Sequence, residues 1–154
     1  MISFLLIVHS LAAVTLLGAL THQTISVWWP ARARTGSFVS SLRSVPSMTY
    51  TNAIIILYVL TAFLGSLVYP EYRLNVRVML QDFRLHVPEG AFELKEHLIS
   101  IGLGLLPAYW YYWKYPGAKE AAATRAIVTG LLAAIVWYAF LTGHVLNNIR
   151  GFGS

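Results

Sequence analysis

Apolar residues in this chain gather into four long runs, and the polar residues between them are few and mostly basic. The runs cover residues 2–29, 50–69, 92–113 and 125–148, each near the roughly 20 residues that a helix needs to cross a bilayer. The pattern predicts an all-α integral membrane four-helix bundle in one domain. The first run is apolar from Met1 onward and no Lys or Arg precedes Arg32. A signal peptide would show a basic start and a small-residue cleavage site, so this run reads as a retained helix. Trp28, Trp29 and Pro30 close it as an interfacial anchor and a stop.

The connections differ in character. Residues 31–48 are Ser-rich and basic, and Phe38, Val39, Leu42 and Val45 suit a short amphipathic turn on the membrane surface. In residues 70–91, Tyr72, Val76, Met79, Leu80, Phe83 and Val87 recur at helical spacing with Arg73, Arg77, Gln81 and Arg84 between them. That spacing predicts a short amphipathic interfacial helix between the second and third spans, ended by Pro88, Glu89 and Gly90. Within the third run Pro107 predicts a kink, and Tyr109 to Tyr115 form a dense aromatic belt.

Composition agrees with a membrane domain: 57% of residues are hydrophobic and 11% charged, against about a quarter charged in soluble domains. There is no cysteine, which excludes disulfides, thiolate metal sites, iron–sulfur ligation and covalent c-type haem. Histidine, with five copies, is the strong nitrogen ligand that remains. The formal charge of +5 speaks to orientation before nucleic acid. The connections after helices 1 and 3 hold Arg32, Arg34, Arg43, Lys114, Lys119 and Arg125; the opposite side holds Arg73, Arg77, Arg84, Lys95 and Arg150. Six against five places both termini on the non-cytoplasmic side, in a bacterial-type inner membrane.

The chemistry centres on Glu93, Lys95, Glu96 and His97, at the mouth of the third run. Ionisable groups at or below a bilayer surface are costly and by default suggest function. At roughly 1.5 Å per residue, His9 enters helix 1 about two turns deep, His97 enters helix 3 about one turn deep, and His144 sits about one turn from the end of helix 4. The alternation of the helices puts all three in one outer layer. His22 lies near the opposite face and His86 in a surface connection.

That layer suits a b-type haem, held by imidazoles from two facing helices at equal depth. His97 and His144 are the favoured ligands to the haem iron, with His9 as substitute for either. Gly102, Gly104 and Gly143 would admit the flat ring, and Arg73, Arg77 and Arg150 would neutralise its propionates. The competing bland reading is that these histidines bond carbonyls or headgroups. His9 and His22 are thirteen residues apart, roughly 140° around the helix. No second histidine lies near the inner face, so one haem is expected, with a quinone or lipid headgroup near His22. Zn²⁺ or Cu²⁺ on His9, His97 and His144 is a weaker reading. A di-iron bundle would need carboxylates on facing helices, which helices 1, 2 and 4 do not offer. Glu93 and Glu96 either complement the helix dipole or carry protons to a quinone. Asn147, Asn148 and Arg150 cap the last helix.

In this layout, with His9 early in helix 1 and histidines near the outer ends of helices 3 and 4, the chain resembles small four-helix b-type cytochromes and CopD-like membrane proteins. In size and early histidine it is also similar to HemJ-type protoporphyrinogen oxidases, from which it departs around helix 3. The expected function is a b-haem-binding membrane subunit of a larger redox complex, passing electrons between the quinone pool and a partner on the outer face. Its partners would be other membrane subunits, lipid and quinone. The alternatives are a cofactor-free structural or assembly subunit of a respiratory or photosynthetic complex, an enzyme of haem or quinone chemistry, and a metal transporter.

Overall fold

A computed structural model describes residues 2–29, 48–115, 117 and 119–152, apart from the side chains of 119, 120 and 147–152. The elements are α1 (Ile2–Trp28), α2 (Thr51–Glu71), a π turn (Tyr72–Val76), α3 (Arg77–Asp82), α4 (His86–Lys114) and α5 (Lys119–Phe152). Among the described residues, Ile2–Trp28, Thr51–Asp82 and Ala121–Leu146 are long and apolar enough to cross a membrane. α4 is not among them. Glu93, Lys95 and Glu96 open it, and the tyrosines and tryptophans of its far half are too polar to compensate.

Three boundaries depart from the sequence expectation, one of them the start of α5, at Lys119 instead of near residue 125. Residues 70–82 are helical but do not form a separate interfacial helix: they continue α2 through the π turn into α3. Pro70 removes one backbone donor inside α2, and the ladder re-registers in the π turn just beyond it instead of stopping. Every flanking residue from Glu71 to Arg77 for which torsions define a cap stays near φ −60°, so the chain does not bend away. The second departure is at α4, which begins at His86 instead of near residue 92. Pro88 falls in its first turn, where a missing N–H costs nothing because no carbonyl awaits it. The intervening reversal is tight. Arg84 takes a left-handed φ of 55°. The Leu85 N–H donates to the Leu80 carbonyl at 2.8 Å and the Arg84 N–H to Gln81 at 2.9 Å. That is a Schellman closure with arginine at the position glycine usually fills. The expected surface turn with Phe38, Val39, Leu42 and Val45 lies outside the described residues.

α1 and α4 each pack on both α2 and α5, so the helices run around the bundle in the order α1, α2, α4, α5. The main core joins Leu16 and Leu20 of α1, Ile54 and Tyr58 of α2, Leu106, Tyr109 and Trp113 of α4, and Val128, Leu132, Ala133 and Val136 of α5. Lipid is as apolar as these side chains, so burial alone cannot hold spanning helices together; close packing and interhelical hydrogen bonds must. Both are present. Gln23 is fully buried. Its Oε1 accepts from the Tyr109 hydroxyl. Its Nε2 donates to Thr51 Oγ1 at 3.2 Å. Three indoles add cross-links: Trp28 Nε1 donates to the Ala126 carbonyl (3.1 Å), Trp113 Nε1 to Thr129 Oγ1 (2.9 Å) and Trp137 Nε1 to Thr21 Oγ1 (3.0 Å). Gly102 supplies the close approach: a Cβ there would meet Tyr58 Cζ at 2.7 Å, and the Tyr58 hydroxyl donates to the Ile99 carbonyl at 3.2 Å.

A second, smaller core joins Leu80, Phe92 and Leu146, with Tyr69, Tyr72, Val76 and Met79 against it. It contains no α1 residue. The 32-residue segment Thr51–Asp82 spans about 48 Å, well beyond the roughly 30 Å hydrocarbon thickness. This core therefore consolidates the end where α2 and α3, α4 and α5 run on together.

Gly102→Ala is expected to lower stability by about 1–3 kcal/mol through overpacking against Tyr58, with partial recovery in the Gly102→Ala, Tyr58→Leu double variant. Thermal unfolding in detergent measures both. Gln23→Leu removes the tie at the bundle axis and is expected to cost about 1–3 kcal/mol in the same assay.

Candidate functional site

The sequence marked six residues: His9, His97, His144, Arg73, Arg77 and Arg150. Three of them, His97, Arg73 and Arg77, line one cleft of about 260 Å³ between the end of α2 and the start of α4. The π turn carries Tyr72 and Arg73. α3 begins with Arg77, and the first turns of α4 carry Phe92, Glu93, Glu96 and His97. Because the helix continues unbroken past Pro70, these arginines stand opposite α4 instead of lying out on a membrane surface.

The walls of the cleft are aromatic. Tyr72 stacks on Phe92 with ring centroids 3.5 Å apart and planes 14° from parallel, and Tyr69 flanks Phe92 at 6.2 Å. Lys95 covers the Phe92 ring at 3.8 Å. The Tyr72 hydroxyl is buried with no hydrogen-bond partner among the described residues. On the sequence, Tyr72 and Phe92 read as membrane-facing and helix-opening residues. Their shared role depends on the hairpin closing, which no local spacing encodes.

The charged groups divide into paired and free. Arg77 Nε bonds Glu89 at 2.8 Å and Arg77 Nη2 reaches Glu93 at 3.1 Å. The Gln81 amide donates to the same Glu89 carboxylate at 2.7 Å. Glu96 pairs with its neighbour Lys95 at 2.9 Å. Arg73, which is exposed, makes no ion pair among the described residues.

His97 is exposed, and its Nδ1 lies 2.7 Å from the Glu93 carbonyl one turn earlier. A carbonyl only accepts, so the neutral ring carries its proton on Nδ1 and leaves the Nε2 lone pair available. This is the arrangement usual for metal-ligating histidines, whose second nitrogen is fixed by a backbone or carboxylate acceptor.

The other histidines go elsewhere. His9 lies at the seam of α1 and α2, where a Cβ on Gly65 would meet its Cε1 at 3.3 Å. Lys95 and Glu96 of α4 are within its electrostatic reach. His144 is exposed on α5 and stacks flat on Phe140, planes 5° apart at 6.4 Å. Phe92 and Leu146 meet in the second core. His97 follows Phe92 by five residues and His144 precedes Leu146 by two, which places them within about 5 Å of each other in level. The levels thus agree while the rings face different neighbours. Among the described residues no three His, Asp or Glu side chains are grouped to hold a metal ion. The side chain of Arg150, with those of Asn147 and Asn148, lies outside the described residues.

Two further expectations take a definite form. Of the glycines expected to make room for a flat ring, Gly102 is filled by Tyr58, while Gly104 and Gly143 have nothing within 4 Å of where a Cβ would stand. At the opposite end, His22 bonds the Tyr50 hydroxyl. It belongs to the polar group that includes the adjoining Gln23, Thr51 and Tyr109.

The donor set of the cleft suits a haem edge: one imidazole with a free lone pair, one unpaired guanidinium, and flat aromatic walls. The volume of about 260 Å³ admits that edge and not a whole macrocycle. No protein-family model, curated protein or solved structure matches this chain.

The Gln81 amide and then the Arg77 guanidinium hold the Glu89 carboxyl below its ordinary range, against the opposing effect of burial. A carboxyl depressed in the fold stabilises it at neutral pH and loses that contribution as pH falls through its folded value. Acidification from neutral to about pH 3 is therefore expected to loosen the α3–α4 hairpin. The protection of amides 77–93, corrected for the intrinsic pH dependence of exchange, should fall over that range, and Glu89→Gln should flatten the dependence.

Proposed function

We propose that the protein is a four-helix integral membrane subunit of a redox complex, with α4 as the fourth span, that holds a b-type haem on His97. On this reading it passes electrons between the quinone pool and a partner on the face that bears both termini, in a bacterial-type inner membrane. The observation that carries the reading is the meeting of His97, Arg73 and Arg77 in one cleft, with the His97 proton committed to a backbone carbonyl.

The residues divide the work as their surroundings allow. His97 offers Nε2 to the iron. Arg73, unpaired among the described residues, takes a propionate. Arg77 supplies a weaker field, since Glu89 and Glu93 already neutralise much of its charge. Tyr72 and Phe92 give a flat apolar surface at the ring edge. Haem bound there supplies a one-electron couple. His144, at a level close to that of His97, would be the second ligand within the chain, reached by turning its ring from Phe140, since it does not line the cleft. The part of the ring that the cleft does not cover would rest against lipid or a partner helix, which suits a subunit better than a free-standing cytochrome.

A second reading is a cofactor-free structural or assembly subunit, in which the single imidazole of the cleft is only a polar side chain held by its own helix.

An absorption spectrum of protein purified from haem-replete cells separates the two. The haem reading expects a Soret band that shifts on reduction, loss of most of the pigment in His97→Ala and in His144→Ala, and retained pigment with an altered potential in Arg73→Ala. A colourless preparation, or full pigment in His97→Ala, overturns it.

A further inference from the structure

The seam between α1 and α2 contains two polar atoms that the fold leaves unsatisfied. His9 Nδ1 and Thr61 Oγ1 are both buried with no hydrogen-bond partner among the described residues. They belong to one place. Gly65, one turn after Thr61, lets the ring lie against α2, with His9 Cε1 3.3 Å and Nδ1 3.9 Å from where a Cβ would stand.

Thr61 departs from the habit of six other helical hydroxyls. Thr15, Thr24, Ser26, Ser66, Ser100 and Thr129 each donate to a carbonyl three or four residues earlier on their own helix. That back-bond is the cheap way to satisfy a hydroxyl inside a span, and Thr61 does not use it. An unsatisfied group at membrane depth costs several kcal/mol in hydrocarbon, so two at one seam call for a shared partner. The partner must both donate and accept. The imidazole nitrogen and the hydroxyl offer the two polar contacts that an internal water requires at the least.

We propose that His9 and Thr61 bind an internal water molecule between α1 and α2, with Gly65 as the residue that makes room for the imidazole. The water makes His9 a hydrated imidazole inside the helix pair. The inference is independent of what the α2–α4 cleft binds.

Water-edited solid-state NMR of the full chain, labelled with ¹⁵N-histidine and reconstituted in phospholipid vesicles, tests it. The His9 signals are assigned by their loss in His9→Phe. The expected result is rapid magnetisation transfer from water to the His9 ring in the native chain, a severalfold slower transfer in Thr61→Val, and recovery in Thr61→Ser, which keeps the hydroxyl. Should Thr61→Val fail to fold, the native chain against Thr61→Ser still decides, since both must show the transfer. Absence of transfer at His9 in the folded native chain, as for a direct imidazole–hydroxyl bond, overturns the proposal. So does transfer that is unchanged in a folded Thr61→Val variant.

Discussion

The fully buried amide of Gln23 is the constraint on which the bundle turns. A side-chain amide has two ends of opposite character, and at membrane depth neither can be left to water. Tyr109 of α4 serves one end and Thr51 of α2 the other. The link to Tyr109 crosses the bundle diagonally, since α1 and α4 are not neighbours around the ring. A bundle of apolar helices can rotate and slide at little cost in lipid; one in which three helices share an amide has a preferred register. The indole bonds of Trp28, Trp113 and Trp137 fix α5 into the same arrangement.

That register determines what happens at the other end. With α2 and α4 locked by Gln23, and by Tyr58 seated over Gly102, the continuation of α2 through the π turn runs beside the first turns of α4. The Schellman reversal at Arg84 makes the hairpin short enough for Tyr72 to stack on Phe92. Arg77 then meets Glu89 and Glu93. The cleft is therefore a product of the fold at two scales: a long-range register and a local reversal. Its polar groups are displayed beside the stacked Tyr72 and Phe92 rings.

The candidate site was legible in the sequence to a limited degree. His97, Arg73 and Arg77 stand out because charge in an apolar chain is conspicuous, and their common side follows from alternation of the spans. His9 and His144 stand out for the same reason, yet their neighbours could not be read. Depth comes from counting residues along an axis. Azimuth, which decides whether a ring faces Gly65, Phe140 or a cleft, depends on how each helix is rotated against the others. The aromatic walls went unseen because Tyr72 and Phe92 are twenty residues apart and meet only through the reversal.

By itself the sequence determined that the chain is helical and apolar enough for membrane, because hydropathy and helical spacing are local properties summed over each run. It determined the ligand chemistry on offer, since cysteine is absent and histidine is not. The tertiary structure decided where helices begin and end around Pro70 and Pro88, because a proline breaks a helix or sits within it according to what the neighbouring backbone can re-pair. It also decided which polar groups meet: Gln23 with Tyr109, Arg77 with Glu89, Trp113 with Thr129. Those pairings are set by the rotation and register of packed helices, and no single helix carries that information.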